Sequence, residues 1–313
     1  MMGTIDSHHM LECSIIGCIL MLSKERYLGY ILIIPAMVII GLFIFYPIFE
    51  AFRISFYNRI LTKAHFEFVW FETYKRLFTT PVFQVALKNT VIWSICTPVL
   101  GMFFGSIIGI IIAQGENRII KMVSLLILIP FIAPDVVVAA IWDWIFDANI
   151  GILNPLLGKA GLIKEKVDWL GTEQLAFPVV IFVMAWRISP LGALLVQSSY
   201  KAIPLEIFEA GEIDGTNFIS RLRYIVLPLL KYPLIIGFLL TMMWVTQNLA
   251  IVHLMTGGGP GRATEILSTY IYKLNFRFYK ESAASAASVI YFGFVLSMTL
   301  VYLTVFKRVW REE

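Results

Sequence analysis

From Ile203 to Leu234 the chain reads IPLEIFEAGEIDGTNFISRLRYIVLPLLKYPL. Pro204 can open a helix, because its missing N–H falls where a first turn has no acceptor to offer. Leu205–Ile213 follows with good helix formers, and Glu206, Glu209 and Glu212 recur every three residues along one face. Gly215 can take the left-handed conformation that ends a helix. Thr216 or Asn217 can cap a second helix, which carries Phe218, Leu222 and Ile225 at helical spacing until Pro228 stops it. The product is two short helices at a sharp bend. Ala210, Gly211 and Gly215 leave a shallow face there, with the charges of Glu209 and Asp214 beside it.

Outward from this segment the chain is apolar. Of 313 residues 59% are hydrophobic and 15% charged, with 24 Phe and a mean hydropathy of +0.81. Soluble domains are about 45–50% apolar and about 25% charged, so this is a membrane protein. A net charge of +4 is too weak and dispersed for a nucleic-acid footprint. Cys13, Cys18 and Cys96 form neither a CxxC pair nor, with the four histidines, a metal site; Cys96 reads as a small buried hydrophobe. His8-His9 before Met10-Leu11-Glu12 resembles a tag remnant within an N-terminal segment over residues 1–27, and Cys13–Leu22 is an apolar run too short to span, which reads as an interfacial segment, an uncleaved signal-like stretch or an untranslated leader.

Six stretches reach the roughly 20 apolar residues that a bilayer requires: Leu28–Pro47, Thr90–Ala113, Met122–Trp144, Phe177–Val196, Leu229–His253 and Ala287–Phe306. Alternation puts the loops Ser55–Lys88, Phe146–Ala176 and Met255–Ala286 on one side. Both termini, the turn Gln114–Lys121 and the segment Tyr200–Leu227 fall on the other. The two-helix segment therefore lies on the membrane surface. It is either an amphipathic connector or a docking face, and three acids within seven residues are unfavourable beside anionic lipid. Lys and Arg, which favour the cytoplasmic side, number eleven with the termini and thirteen with the three loops, so charge leaves the orientation open. Lys307, Arg308 and Arg311 after the last span lean towards a cytoplasmic C-terminus.

Polar side chains inside spans are costly and therefore informative. Asp135 and Arg187 are the only opposite charges near mid-span, which predicts a pair between neighbouring helices. Gln247 and Asn248 offer amides, and Phe131, Trp142 and Trp186 offer aromatic faces, groups that can line a path for a polar solute. The same residues also serve plainer ends, since amides tie membrane helices together and Trp marks the interface. Gly105 and Gly109 stand four apart as a close-contact face. The run Gly257–Gly261 lacks the Lys of a phosphate loop and follows an apolar helix, so it reads as a flexible turn. No Walker motif, no nucleophile with base and orienter, and no metal-ligand spacing occurs, so neither catalytic nor metal residues are assigned.

Glu209-Ala210-Gly211, Asp214-Gly215, Ile225, Leu227 and Pro228 resemble the EAA loop of binding-protein-dependent ABC-transporter permeases, written EAAxxDGAxxxxxFxxIxLP. The chain departs from it at Gly211 and Thr216, where Ala is usual, and at Leu222, where Phe is usual. Leu254–Pro260, followed by Thr264, Leu267 and Tyr270-Ile271-Tyr272, is similar to the LTGGGP…T…L…YIY stretch of sugar permeases. The likeness is to the first-permease type of the maltose, glycerol-3-phosphate and oligosaccharide importers. Ile129-Pro130, Pro134, Gly151 and Asn154 fit the same branch, and the resemblance runs from about Leu28 onward.

The resemblance implies an all-α polytopic protein of six transmembrane helices with the type I ABC importer permease fold (MetI-like). It implies a membrane domain over 28–313, a type-1 core over about 86–306 and a coupling loop over 200–228. The implied function is a non-enzymatic sugar-importer permease subunit in the cell inner membrane, with both termini cytoplasmic. Glu209, Ala210, Gly211, Asp214 and Gly215 would dock an ATPase, while Phe131, Asp135, Trp142, Trp186, Arg187, Gln247 and Asn248 would line the substrate path. The implied partners are a second homologous permease, two ATPase subunits that bind the ATP and Mg, an extracytoplasmic sugar-binding protein, sugar and membrane lipid, but no nucleic acid. The chain itself would bind no cofactor. An ion-driven secondary transporter is the alternative class; it predicts internal repeats, and no self-similar halves occur.

Overall fold

The computed structural model describes residues 33–58, 67–115 and 117–311. The tag-like segment and the short apolar run before Lys24 lie outside the described residues. Four helices are long and apolar enough to cross a membrane: α1 (Ile33–Ser55), α3 (Pro81–Ala113), α7 (Glu173–Lys201) and Glu281–Thr304, the last being part of α13 (Glu281–Arg311). Two bent pairs also qualify. α4 (Arg118–Ile132) meets α5 (Asp135–Phe146) at 98°, and α9 (Phe218–Leu229) meets α10 (Lys231–Gln247) at 66°. The apolar stretches thus become four continuous spans, or six when each bent pair counts as one. Among the short elements are α2 (Glu72–Thr79), α6 (Leu153–Lys159), α8 (Leu205–Ile213), α11 (Ala250–Met255) and α12 (Leu267–Tyr272). The only β-structure among the described residues is a two-residue antiparallel bridge, Tyr57–Asn58 on Glu67–Phe68.

The centre of the bundle is the pair α3 and α7, which run side by side in the same direction. Gly101 faces Ile188 and Ala185, Gly105 faces Ser189 and Ala193, and Gly109 faces Ala193 and Val196. Glycine every fourth residue lets the two backbones touch, and close packing is what holds helices together in lipid, where water offers no driving force. α10 crosses α3 in the opposite sense: Gly237 meets Met102, and the Thr246 hydroxyl bonds that of Ser94 at 3.1 Å. Trp93, Val180, Val183, Met184, Ile188, Val245 and Ile251 form the main core. Pro190 cannot return a hydrogen bond to Trp186, and the Ser189 hydroxyl donates to that freed carbonyl at 2.8 Å. Cys96, expected inside, is exposed, because an apolar run in a bilayer protein has a lipid-facing side as well as a packed one.

The loop after α5 shows why Gly151 and Asn154 stand where they do. A side chain at Gly151 would collide with the backbone carbonyls of Asp147, Ile145 and Trp144. The Asp147 carboxylate accepts the N–H groups of Ile150 (2.9 Å) and Asn149 (2.7 Å), and these hold it below the usual carboxylate range. Buried Asn154 donates to Ala148 (3.1 Å) and Val167 (2.9 Å) and accepts the indole N–H of Trp169 (2.9 Å). Asn154→Ala strands these groups at a cost of about 2–4 kcal/mol. A clear fall in the melting temperature of the purified protein is expected, and an unchanged melt would refute this role.

Candidate functional site

Both broken spans open at one place. After α4, Ala133 and Pro134 adopt extended ψ values of 137° and 143° before α5 begins at Asp135. After α10, Asn248 is extended at ψ 112° before α11 begins. Inside a bilayer, backbone groups freed by such breaks must find protein partners. Here they do: Val245 O accepts the Trp93 indole N–H at 2.9 Å, and Thr246 O accepts the Tyr291 hydroxyl. Ala133 O accepts from Arg187 Nη2 at 3.2 Å, and Asn248 Oδ1 takes the Ile251 N–H at 3.1 Å.

Arg187, carried on unbroken α7 and 8% exposed, also pairs with Asp135 at 2.6 Å. The other Asp135 oxygen accepts from Asn248 Nδ2 at 3.0 Å. The expected pair is therefore present, and it belongs to a triad that fastens both helix breaks to α7. Asp135, Arg187 and Asn248 are occupied by these internal bonds. Among the described residues the Nε of Arg187 and the Nε1 of Trp142 are buried donors without a hydrogen-bond partner.

The aromatic candidates fall into two groups. Trp142 packs on Trp186 (5.2 Å, 77°) and Phe182 (5.5 Å, 89°). Phe131 stacks instead on Trp244 (4.9 Å, 14°), whose surface is 49% exposed. Gln247 is exposed one helical turn beyond Trp244 and outside the bonded triad. Trp93, Tyr291 and Trp244 were not singled out from the sequence. The three-residue spacing of Trp244 from Gln247 was the available signal, whereas the carbonyls that Trp93 and Tyr291 cap are distant in sequence.

The bend at the other end of α7 is built as its residues dictate. Gly215 has φ +74°, and Thr216 N–H returns to Gly211 O at 2.9 Å. Asn217 caps α9 by accepting the Ser220 N–H at 2.8 Å. α9 runs past Pro228 to Leu229 through a π-helical turn at Leu222–Val226. Pro228 therefore does not stop the helix, which breaks at Leu230. Gly211 also differs from expectation. It is buried, and a Cβ there would lie 2.7 Å from Ile225 Cδ1 and 3.2 Å from Thr216 Oγ1, so it packs the two helices together and offers nothing outward. Glu206, Glu209, Ala210, Asp214 and Gly215 are exposed. Glu212 reaches across to Arg221 at 3.1 Å. Beside these acids Ile213 is 87% exposed and Ile219 72%, so the face combines charge with bare apolar surface.

At the opposite end of the bundle the glycine run forms a turn held by hydrogen bonds. Gly257, Gly258 and Gly261 have φ of +57°, +88° and +52°, conformations that glycine enters without steric cost. The Thr264 hydroxyl donates to Gly259 O at 2.8 Å, and Asn89 Nδ2 donates to Ala263 O (2.9 Å) and Glu265 O (3.0 Å). Buried Glu265 accepts Thr269 Oγ1 at 2.6 Å and pairs with Lys273.

Comparison with known proteins gives a consistent likeness. The family model described as "Binding-protein-dependent transport system inner membrane component" matches residues 101–311. The sulfoquinovosyl glycerol transport system permease protein SmoG of Agrobacterium fabrum is 30% identical over 90% of this chain and 91% of its own length. The trehalose/maltose transport system permease protein MalF of Thermococcus litoralis is 31% identical over 91% of this chain and 96% of its own. Among solved structures, a bacterial ABC transporter involved in the import of alginate shares the fold, with a TM-score of 0.78 at 19% identity over 91% of this chain and 97% of that one. The chain belongs to the family of inner-membrane components of binding-protein-dependent transport systems.

Proposed function

We propose that this chain is the permease subunit of an ABC sugar importer, forming half of the translocation path and taking its drive from partner ATPases through the bend between α8 and α9. The observation that carries the coupling role is that bend: exposed Glu206, Glu209 and Asp214 beside bare Ile213 and Ile219, at the end of a continuous 29-residue helix. Sugar as cargo is supported by the sulfoquinovosyl glycerol and trehalose/maltose relatives. It is supported also by the aromatic and amide surfaces of Trp244, Phe131, Trp142, Trp186 and Gln247. Asp135, Arg187 and Asn248 position those surfaces. A second permease completes the path, a sugar-binding protein delivers cargo on the side of the Gly257–Gly261 loop, and the ATPase pair holds ATP and Mg. Both termini and segment 200–228 then lie in the cytoplasm, within a membrane domain over 28–313 whose core spans about 86–306.

Glu209→Lys tests this reading. Reversing a charge at the docking face is expected to cut sugar uptake at least about tenfold, which corresponds to about 1.4 kcal/mol of coupling, and to make ATP hydrolysis insensitive to the loaded binding protein. The amount of chain in the membrane should not change. Normal uptake and normal stimulation in this variant would overturn the docking assignment.

A further inference from the structure

The thirteen Lys and Arg of the three long loops outnumber the eleven on the other side, against the usual bias of short loops. Several of these cations converge. A cleft of about 450 Å³ is lined by Arg262, Lys273, Arg277 and Lys280, with Thr80 at its edge. The one carboxylate in its wall, Glu265, is 2% exposed and already bonded to Lys273 and Thr269, so the lining keeps an excess of positive charge. A second cleft of about 410 Å³ shares Thr80 and Lys280 and adds Arg76, which is itself paired with Glu72.

The same segment exposes its rings. Phe276 is 62% exposed, Phe278 54% and Tyr279 51%, alternating with Arg277 and Lys280; Phe78, on the helix that leads to Thr80, is 51% exposed. Among the described residues only Phe83 and Tyr272 pack on these rings, against Phe78 and Phe276. Lys280 precedes the apolar run at Ala287 by seven residues, about 10 Å along a helix. At that height aromatic rings settle into the membrane interface, and basic side chains reach the headgroup layer.

We propose that this cleft binds the phosphate of an anionic phospholipid, with the exposed rings seated among its glycerol and upper acyl groups. Phosphate satisfies the excess positive charge of the cleft, and the lipid body covers Phe276, Phe278 and Tyr279, which a soluble anion would leave in water. The inference stands apart from the nature of the transported cargo.

The experiment counts lipids retained by the full chain in its native complex, after equilibration with mixed phosphatidylglycerol and phosphatidylcholine, by native mass spectrometry. The wild type should retain phosphatidylglycerol selectively. In Arg262→Gln, Arg277→Gln and Lys280→Gln, single or combined, selectivity should fall by about fivefold per cation removed and should shrink with added salt. Lys273 is left intact, so that Glu265 keeps its partner. Phe276→Ser with Phe278→Ser should lower retention of both lipids without altering the preference between them. Absence of selectivity in the wild type, or full selectivity in the triple variant, would overturn the proposal. So would displacement of the lipid by millimolar inorganic phosphate or glucuronate, which would mark a site for soluble anions.

Discussion

Gly105→Val is expected to remove folded chain from the membrane. A Cβ at this position would lie 2.5 Å from Ser189 O and 2.9 Å from both Ala193 N and Gly192 Cα, and all three are backbone atoms that cannot swing aside. Valine adds two further methyls to that collision, so α3 and α7 must separate along the seam from Gly101 to Gly109. Overpacking a core costs about 1–3 kcal/mol when side chains can yield; here only helix displacement relieves it, and the cost should exceed that range. Gly158→Ala is the control, because a Cβ there meets nothing within 4 Å. Size-exclusion chromatography of fluorescent fusions checks both. A monodisperse, wild-type-like peak for Gly105→Val would show that the seam is not the fixed centre of the bundle.

Arg187→Gln should be the most damaging change at the helix breaks. It leaves Asp135 without its counter-charge and withdraws the donor to Ala133 O. Removing one member of a buried pair typically costs about 3–5 kcal/mol, since an uncompensated charge stays behind. Asp135→Asn strands the Arg187 charge in turn, though its amide oxygen can still accept from Arg187 and Asn248. The double variant should then be less damaged than the sum of the singles, by a coupling of about 1–3 kcal/mol. Melting temperatures of the four proteins close the cycle, and strict additivity would mean that the ion pair contributes nothing of its own.

These two sites also show what a sequence can and cannot disclose. Pro204, Gly215 and Asn217 act on their immediate neighbours, so the bend between α8 and α9 could be read from one short segment. Asp135 and Arg187 could be matched because a bilayer leaves so few charges to pair. Pro134 inside the third apolar stretch announces a kink, but the way both helix breaks are closed was hidden for the opposite reason. Their freed carbonyls are answered by Trp93, Arg187 and Tyr291, each more than forty residues away, so the polar residues at the breaks, Asp135, Gln247 and Asn248, do not by themselves disclose how the backbone is satisfied. Gly211 deceived because smallness fits an outer contact and an inner one equally well, and only the position of Ile225 distinguishes them. Cys96 deceived because hydropathy separates apolar from polar but not protein from lipid. Orientation was beyond charge counting, since cations that crowd the cleft around Lys273 obscure the bias that would report it.

The unbroken course of α7 has a mechanical meaning. Its 29 residues make a rod of about 43 Å at 1.5 Å per residue, clamped along its flank to α3. One end, Lys201, adjoins the bend at α8. The other, Glu173, sits so close to Gly261 that a methyl group there would strike it. A tilt of about 5° swings one tip of such a rod by about 4 Å relative to the other, while the segmented helices beside it have joints at which to flex. Arg187 stands at the midpoint of this rod, so a tilt about the helix breaks would displace Lys201 and Glu173 by equal amounts in opposite directions.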